Sequence, residues 1–180
     1  MAGLKTRVVG VVGGKKSGKT TTIEILTREL TSRGFRIAVG KHIPDAGFTI
    51  DTSGKDTWRY VQSGAKTVVA VSLNEIATIE KACADLSLNE ILKRCRGVDL
   101  IFLEGFRELL AEDRSVYKIV VAESAQDVEE AIQIFEPILA FTGSYAPSNA
   151  HPRIPYLNVL IEGKEIADLL EKVVIKPVLT

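Results

Sequence analysis

Apolar residues occur along this chain in two rhythms. Short runs rich in Val and Ile alternate with segments whose apolar positions recur every three or four residues. Arg7 to Val12 is a β-branched run and the first predicted strand. Thr20 to Arg33 follows as a helix, with Ile23, Leu26 and Leu30 on one face and Gly34 placed to cap its C-terminus. Arg36 to Lys41 is the second strand. His42 to Gly54 is a long loop holding Pro44, Gly47 and Gly54, and long loops in compact domains often carry function. Lys55 to Ser63 reads as a short helix stopped by Gly64. Thr67 to Ser72 and Glu75 to Ile79 read as two strands joined by a tight turn near Asn74.

Ser87 and Glu90 have capping-box spacing and open a helix running to about Cys95. Val98 to Leu103 is apolar throughout except Asp99, as expected of a parallel strand buried on both faces. Tyr117 to Ala122 and Glu136 to Phe141 are further strands, with a helix between them started by Ser124 and Asp127. Thr142 to Arg153 is a Gly/Pro/Ser-rich loop, and Ile166, Leu169, Leu170 and Val173 mark a final amphipathic helix. Alternating strands and helices predict an α/β fold with a mostly parallel central sheet and one inserted antiparallel hairpin. No repeat or linker interrupts residues 1–180, which read as a single domain.

The bulk numbers narrow the function classes. At 180 residues, 46% hydrophobic and 26% charged, the composition is that of a globular domain with a full core. Lys plus Arg equals Asp plus Glu at 23 each, so no basic excess points to nucleic acid. Val8 to Val12 is too short for the apolar core of a secretory signal, and no stretch approaches the roughly 18 apolar residues of a membrane span. A cytoplasmic protein is expected. Cys83 and Cys95 form no Cys-x-x-Cys pair and read as partly buried thiols.

The sharpest chemistry lies at Gly13-Gly14-Lys15-Lys16-Ser17-Gly18-Lys19-Thr20, which fits G-x-x-x-x-G-K-[ST] without a mismatch. Glycines let the backbone turn so that its N–H groups face phosphate oxygens. The helix that follows adds the positive end of its dipole. Lys19 is the mobile cation for the β- and γ-phosphates, and the Thr20 hydroxyl is a magnesium ligand. A β-branched strand before the loop and an amphipathic helix after it give the context the motif requires. Lys15 and Lys16 add positive charge, at least one of them as a solvated side chain. The expected nucleotide-binding set is Gly13 to Thr20 with Thr21.

A phosphate loop of this kind needs a carboxylate at the C-terminal end of a neighbouring strand. Glu104 ends the apolar run Leu100-Ile101-Phe102-Leu103 and is followed by Gly105. Asp99 lies at the other end of that strand, about 13 Å away by strand rise, and reads as structural. Asp51-Thr52-Ser53-Gly54-Lys55-Asp56-Thr57 closes the long loop. There Asp56 has capping-box spacing from Ser53, while Asp51 has no such structural explanation and is the better site candidate. Lys41-His42 ends the second strand at the same sheet edge, where His42 either touches nucleotide or is partly buried. No Asn-Lys-x-Asp guanine signature occurs. Thr142-Gly143-Ser144 occupies a position suited to base contact, and Arg107 and Arg114 flank a polar stretch that is either a phosphate clamp or a solvated helix.

With these motifs in order, the chain resembles the molybdopterin-guanine dinucleotide biosynthesis protein B (MobB) family. The resemblance rests on GGKKSGKTTTIEIL, Gly40-Lys41-His42, DTSGKDT at 51–57, Gly64-Ala65 and DLIFLEG at 99–105. It implies a P-loop GTP-binding protein with weak hydrolysis that assists the guanylyltransferase attaching GMP to molybdopterin. It also implies a homodimer sharing an extended sheet, for which the apolar hairpin Val68 to Ile79 offers strand edges. Mg2+ and GTP are the implied cofactors. Lys19, Asp51 and Glu104 are the implied catalytic residues, with Thr20, Asp51 and Glu104 around the metal and γ-phosphate. Two other classes compete. A small-molecule kinase needs a lid, for which only Arg107 to Arg114 is available. A metal-delivery GTPase needs a His/Cys cluster, and the chain has two residues of each, none paired in sequence.

Overall fold

The computed structural model describes residues 7–81, 87–145 and 153–177. Contacts divide the chain into two compact units, residues 43–87 forming one and the flanking segments the other. Nothing in the composition marks this division.

The larger unit is built on a five-stranded parallel sheet. Its strands are β1 (Arg7–Gly13), β2 (Ile37–Lys41), β5 (Leu100–Glu104), β6 (Tyr117–Val121) and β7 (Ile138–Thr142), in the order β2-β5-β1-β6-β7. Strands β1, β5 and β6 are interior and covered on both faces, which is why Val8–Val12, Leu100–Leu103 and Ile119–Val121 read as continuous rather than alternating runs. All five residues of β5 are buried.

Helices cover both faces. On one, α1 (Lys19–Ser32) and α6 (Val159–Leu170) pack Ile23, Leu26, Leu30, Ile166 and Leu170 against Val9, Val11, Phe102 and Ile119. Leu26 and Leu30 are wholly buried, each stabilising by about 1.5–3 kcal/mol relative to exposure. On the other face α3 (Leu88–Arg94), α4 (Arg107–Glu112) and α5 (Ala125–Ile134) bring Ile91, Leu110 and Ala131 onto Ile101, Leu103 and Val120. The result is the expected three-layer architecture. Ser124 caps α5 by accepting from the Asp127 amide, as its spacing predicts. α6 runs on into a π-helical turn, Glu171–Ile175, that the apolar spacing did not distinguish from an α-helix.

The smaller unit holds α2 (Asp56–Gln62) and the antiparallel pair β3 (Thr67–Val71) and β4 (Ile76–Glu80). Ser72 closes the hairpin, its hydroxyl accepting from the Glu75 amide at 3.0 Å. The Ser53–Asp56 capping box does not form. Lys55 is the N-cap without a side-chain cap bond, and Asp56 in the first turn instead pairs with Arg59 at 3.5 Å.

Among the described residues no helix is long and apolar enough to cross a membrane. Cys95 is a free, half-buried thiol, and Cys83 lies outside the described residues.

Candidate functional site

The parallel sheet brings every strand's C-terminal end to one edge, and the loop after β1 lies there. Gly13 closes β1 at φ +154°, and a side chain at this position would strike the Val121 carbonyl on the neighbouring strand. Gly18 is the N-cap of α1 in the left-handed conformation, at φ +100°. Between them Lys16 also has positive φ, at 64°, an uncommon state for a residue with a Cβ and a sign of a backbone shaped for its task.

The start of α1 differs from those of α5 and α6. Ser124 and Asn158 supply side-chain caps to α5 and α6. No side chain caps α1, and no acidic residue sits in its first turn. The first N–H groups of a helix have no intrahelical acceptor, so here they and the helix dipole suit an anion. The buried Ser17 hydroxyl has no hydrogen-bond partner among the described residues. An orphaned buried hydroxyl is costly unless a ligand satisfies it, and the loop around it fits a phosphate.

Four charged or polar side chains meet beside the loop. The Lys19 ammonium folds back to donate to the Gly13 carbonyl at 3.2 Å and to the Gly14 carbonyl. Burial lowers the Lys19 pKa, the Glu104 carboxylate opposes that shift, Lys41 adds to it, and Glu123 opposes it. The Thr20 hydroxyl donates to Glu104 Oε1 at 3.0 Å. Lys41 Nζ lies 2.9 Å from the same oxygen. The parallel register sets this meeting, because β5 aligns Glu104 with Val11 of β1 on one side and Lys41 of β2 on the other.

The donor set suits a hard, oxygen-preferring cation. A hydroxyl and a carboxylate converge, and an ammonium already lies against the carboxylate. Among the described residues no group of three or more His, Cys, Asp and Glu side chains converges on a metal position. A magnesium site completed by phosphate oxygens and water needs only one or two protein ligands.

The structure thus brings Lys19, Thr20 and Glu104 together on the first turn of α1 and the end of β5. Lys15, Lys16 and Thr21 are exposed. Asp51 lies in the smaller unit. Contrary to the sequence reading, it has structural partners of its own: Oδ1 accepts from the Thr52 amide and the Thr57 hydroxyl, each at 2.8 Å. Its Oδ2 is buried with no partner among the described residues. His42 is exposed, not partly buried. Its amide extends the ladder to the Glu104 carbonyl at 3.0 Å, and its ring lies 5.4 Å from that of Phe106. Thr142 is fully buried, with Oγ1 accepting from the Val159 amide, so it ties β7 to α6. Asp99 is structural as expected, holding Arg36 by its amide and guanidinium.

Sequence reasoning missed the pairing of Lys41 with Glu104. Both residues end strands, but pairing them requires knowing that β2 neighbours β5, which pattern alone does not give. It also passed over Glu123, just beyond β6. That carboxylate comes 3.9 Å from where a Cβ on Gly14 would lie.

Comparison with known proteins places this site in a family. Residues 8–142 match the model of the family described as molybdopterin guanine dinucleotide synthesis protein B. A molybdopterin-guanine dinucleotide biosynthesis adapter protein of Haemophilus influenzae is 31% identical over 103 residues, covering 56% of this chain and 57% of that protein. A putative protein of the same description from Methanocaldococcus jannaschii is 36% identical over 107 residues, covering 58% of this chain and 42% of its own length. The chain therefore matches about half the length of these relatives. A crystal structure of molybdopterin-guanine biosynthesis protein B superposes with a TM-score of 0.68 at 28% identity, covering 91% of this chain and 95% of that one. With three quarters of its length matched by the family model, this chain belongs to the molybdopterin guanine dinucleotide synthesis protein B family.

Proposed function

We propose that this protein binds GTP with Mg2+ at Gly13–Thr20, hydrolyses it slowly, and serves as an adapter to the guanylyltransferase that attaches GMP to molybdopterin. The observation that carries the reading is the Thr20 hydroxyl donating to Glu104 at 3.0 Å beside a phosphate loop whose following helix has no side-chain cap. The named relatives support the pathway and the adapter role. The guanine preference rests on the family alone.

In this reading the backbone N–H groups of Gly13 to Thr20, with Thr21, hold the phosphates, and the Ser17 hydroxyl gains its missing partner. Lys19 exchanges the Gly13 and Gly14 carbonyls for phosphate oxygens, which explains why a partly desolvated ammonium is kept there. Lys15 and Lys16 add diffuse positive charge. Thr20 and Glu104 hold the metal, and a role for Asp51 beside them rests on the family resemblance alone. Bound there, magnesium neutralises charge on the phosphate oxygens during phosphoryl transfer. Lys41 neutralises Glu104 when no metal ion is held there.

Residues 1–180 act as one nucleotide-responsive domain, in the cytoplasm and as a homodimer. The kinase reading is weaker, because its only lid candidate folds as α4 with Leu110 wholly buried in the core. The test is reconstitution. With purified guanylyltransferase, molybdopterin and GTP, adding this protein should raise the rate of dinucleotide formation, and Lys19→Ala should not. Equal stimulation by both would refute a nucleotide-dependent adapter.

A further inference from the structure

The chain turns a sharp corner immediately after Glu104. Phe106, the N-cap of α4, sits in the left-handed region at φ 45° and ψ 38°, where a residue with a bulky side chain is rare. Such strain persists only where the surroundings enforce it, and it gathers at functional corners. The corner sends its two flanking charges in different directions. Glu104 goes to Thr20 and Lys41. Arg107 lines a cavity of about 200 Å3 together with the phosphate-loop residues Gly13 and Gly14, the Phe135 ring and the acidic residues Asp127 and Glu130.

Arg33, Arg36, Arg59 and Arg114 each pair with a carboxylate. Arg107 instead lies over the face of Phe135, 5.3 Å from the ring centroid. A cation on a ring face is held with little loss of hydrogen-bonding capacity, since the five guanidinium N–H donors point outward in the guanidinium plane. Those donors fit a phosphate oxygen pair better than an ammonium can.

We infer that Arg107 is a further phosphate-contacting residue, which moves from Phe135 to the terminal phosphate of a nucleoside triphosphate seated on Gly13–Thr20. The inference rests on the nucleotide-binding reading above. It gives the site a further cation from within the chain, beside Gly13 and Gly14 of the loop, so Lys19 need not neutralise the terminal phosphate alone. It also gives the protein a means of telling a triphosphate from a diphosphate, because the second lacks the group Arg107 would grip.

The experiment is calorimetry with Mg2+ and either a non-hydrolysable GTP analogue or GDP, on wild type, Arg107→Ala, Arg107→Lys and Lys19→Ala. Arg107 is exposed, so its variants should fold, and their melting temperatures check this. Arg107→Ala should weaken the triphosphate analogue about tenfold or more while leaving GDP within about twofold. Arg107→Lys should recover part of the loss, since charge is kept and the fork is not. Lys19→Ala should weaken both ligands. An unchanged triphosphate-to-diphosphate ratio in Arg107→Ala overturns the inference, including the case where Arg107 serves a separate phosphate-bearing ligand. Failure of folded wild type to bind either nucleotide would instead defeat the nucleotide-binding reading itself.

Discussion

The two edges of the five-stranded sheet carry similar charges and use them differently. At the N-terminal edge, Asp99 takes the Arg36 amide at 2.8 Å and its guanidinium through both oxygens. Nearby, Lys118 is wholly buried at the start of β6, its ammonium donating to the Asp113 carbonyl at 2.5 Å and the Glu136 carbonyl at 2.8 Å. Asp99 ties the start of β5 to the start of β2, and Lys118 joins the α4–β6 and α5–β7 connections. At the C-terminal edge Lys19 leans on its own loop's carbonyls, the Ser17 hydroxyl has no partner among the described residues, and Glu104 is shared between Thr20 and Lys41. Saturated polar groups stabilise a fold. Provisionally paired ones are ready to exchange partners for a ligand.

Substitutions at each edge should separate these two uses. The largest effect on folding is expected from Lys118→Met, which strands two carbonyls in the core. It should cost about 3 kcal/mol in urea unfolding while nucleotide affinity of the folded protein stays unchanged. A parallel loss of affinity would break the contrast between the edges. Glu104→Gln should do the reverse, lowering Mg2+-dependent nucleotide affinity about tenfold in calorimetry with little change in the unfolding midpoint.

pH offers a third separation. Burial lowers the Lys118 pKa below its ordinary 10.5. The unfolded chain therefore binds more protons in that interval, and stability should rise as pH climbs from the folded value towards 10.5. Lys118→Met should remove that rise. Hydrogen bonds from Arg36 lower the Asp99 pKa from 3.8. Its contribution is present above 3.8 and is lost as pH falls through the folded value, so Asp99→Asn should flatten the acid limb. Urea midpoints across pH, wild type against variant, check both. The smallest effect belongs to Lys41→Met. It should tighten Mg2+ binding by about threefold, by freeing Glu104 from a competing cation that is itself half-exposed. Weaker binding would mean that Lys41 is itself part of the ligand site.

The order of strands and helices was legible because interior parallel strands and amphipathic helices leave opposite periodicities, as in Leu100–Glu104 and Lys19–Ser32. The phosphate loop was legible because its chemistry is local in sequence. What was not legible depends on neighbours. The Lys41–Glu104 pair joins residues 63 positions apart through a strand order no local pattern specifies. Asp51 looked free because its partner Thr57 lies across a turn whose closure depends on the folded backbone. Helix α4 was obscured by its length, since six residues carry too few turns for an apolar period, and only Leu110 is buried.

The central claim is that the C-terminal edge holds a nucleoside triphosphate, and titration calorimetry tests it most directly. Purified wild type and Lys19→Ala should be titrated with GTP, ATP and CTP in Mg2+. Wild type should bind saturably with GTP clearly tightest, and Lys19→Ala should lose that binding. Absence of binding by folded wild type, or equal binding by the variant, would contradict it.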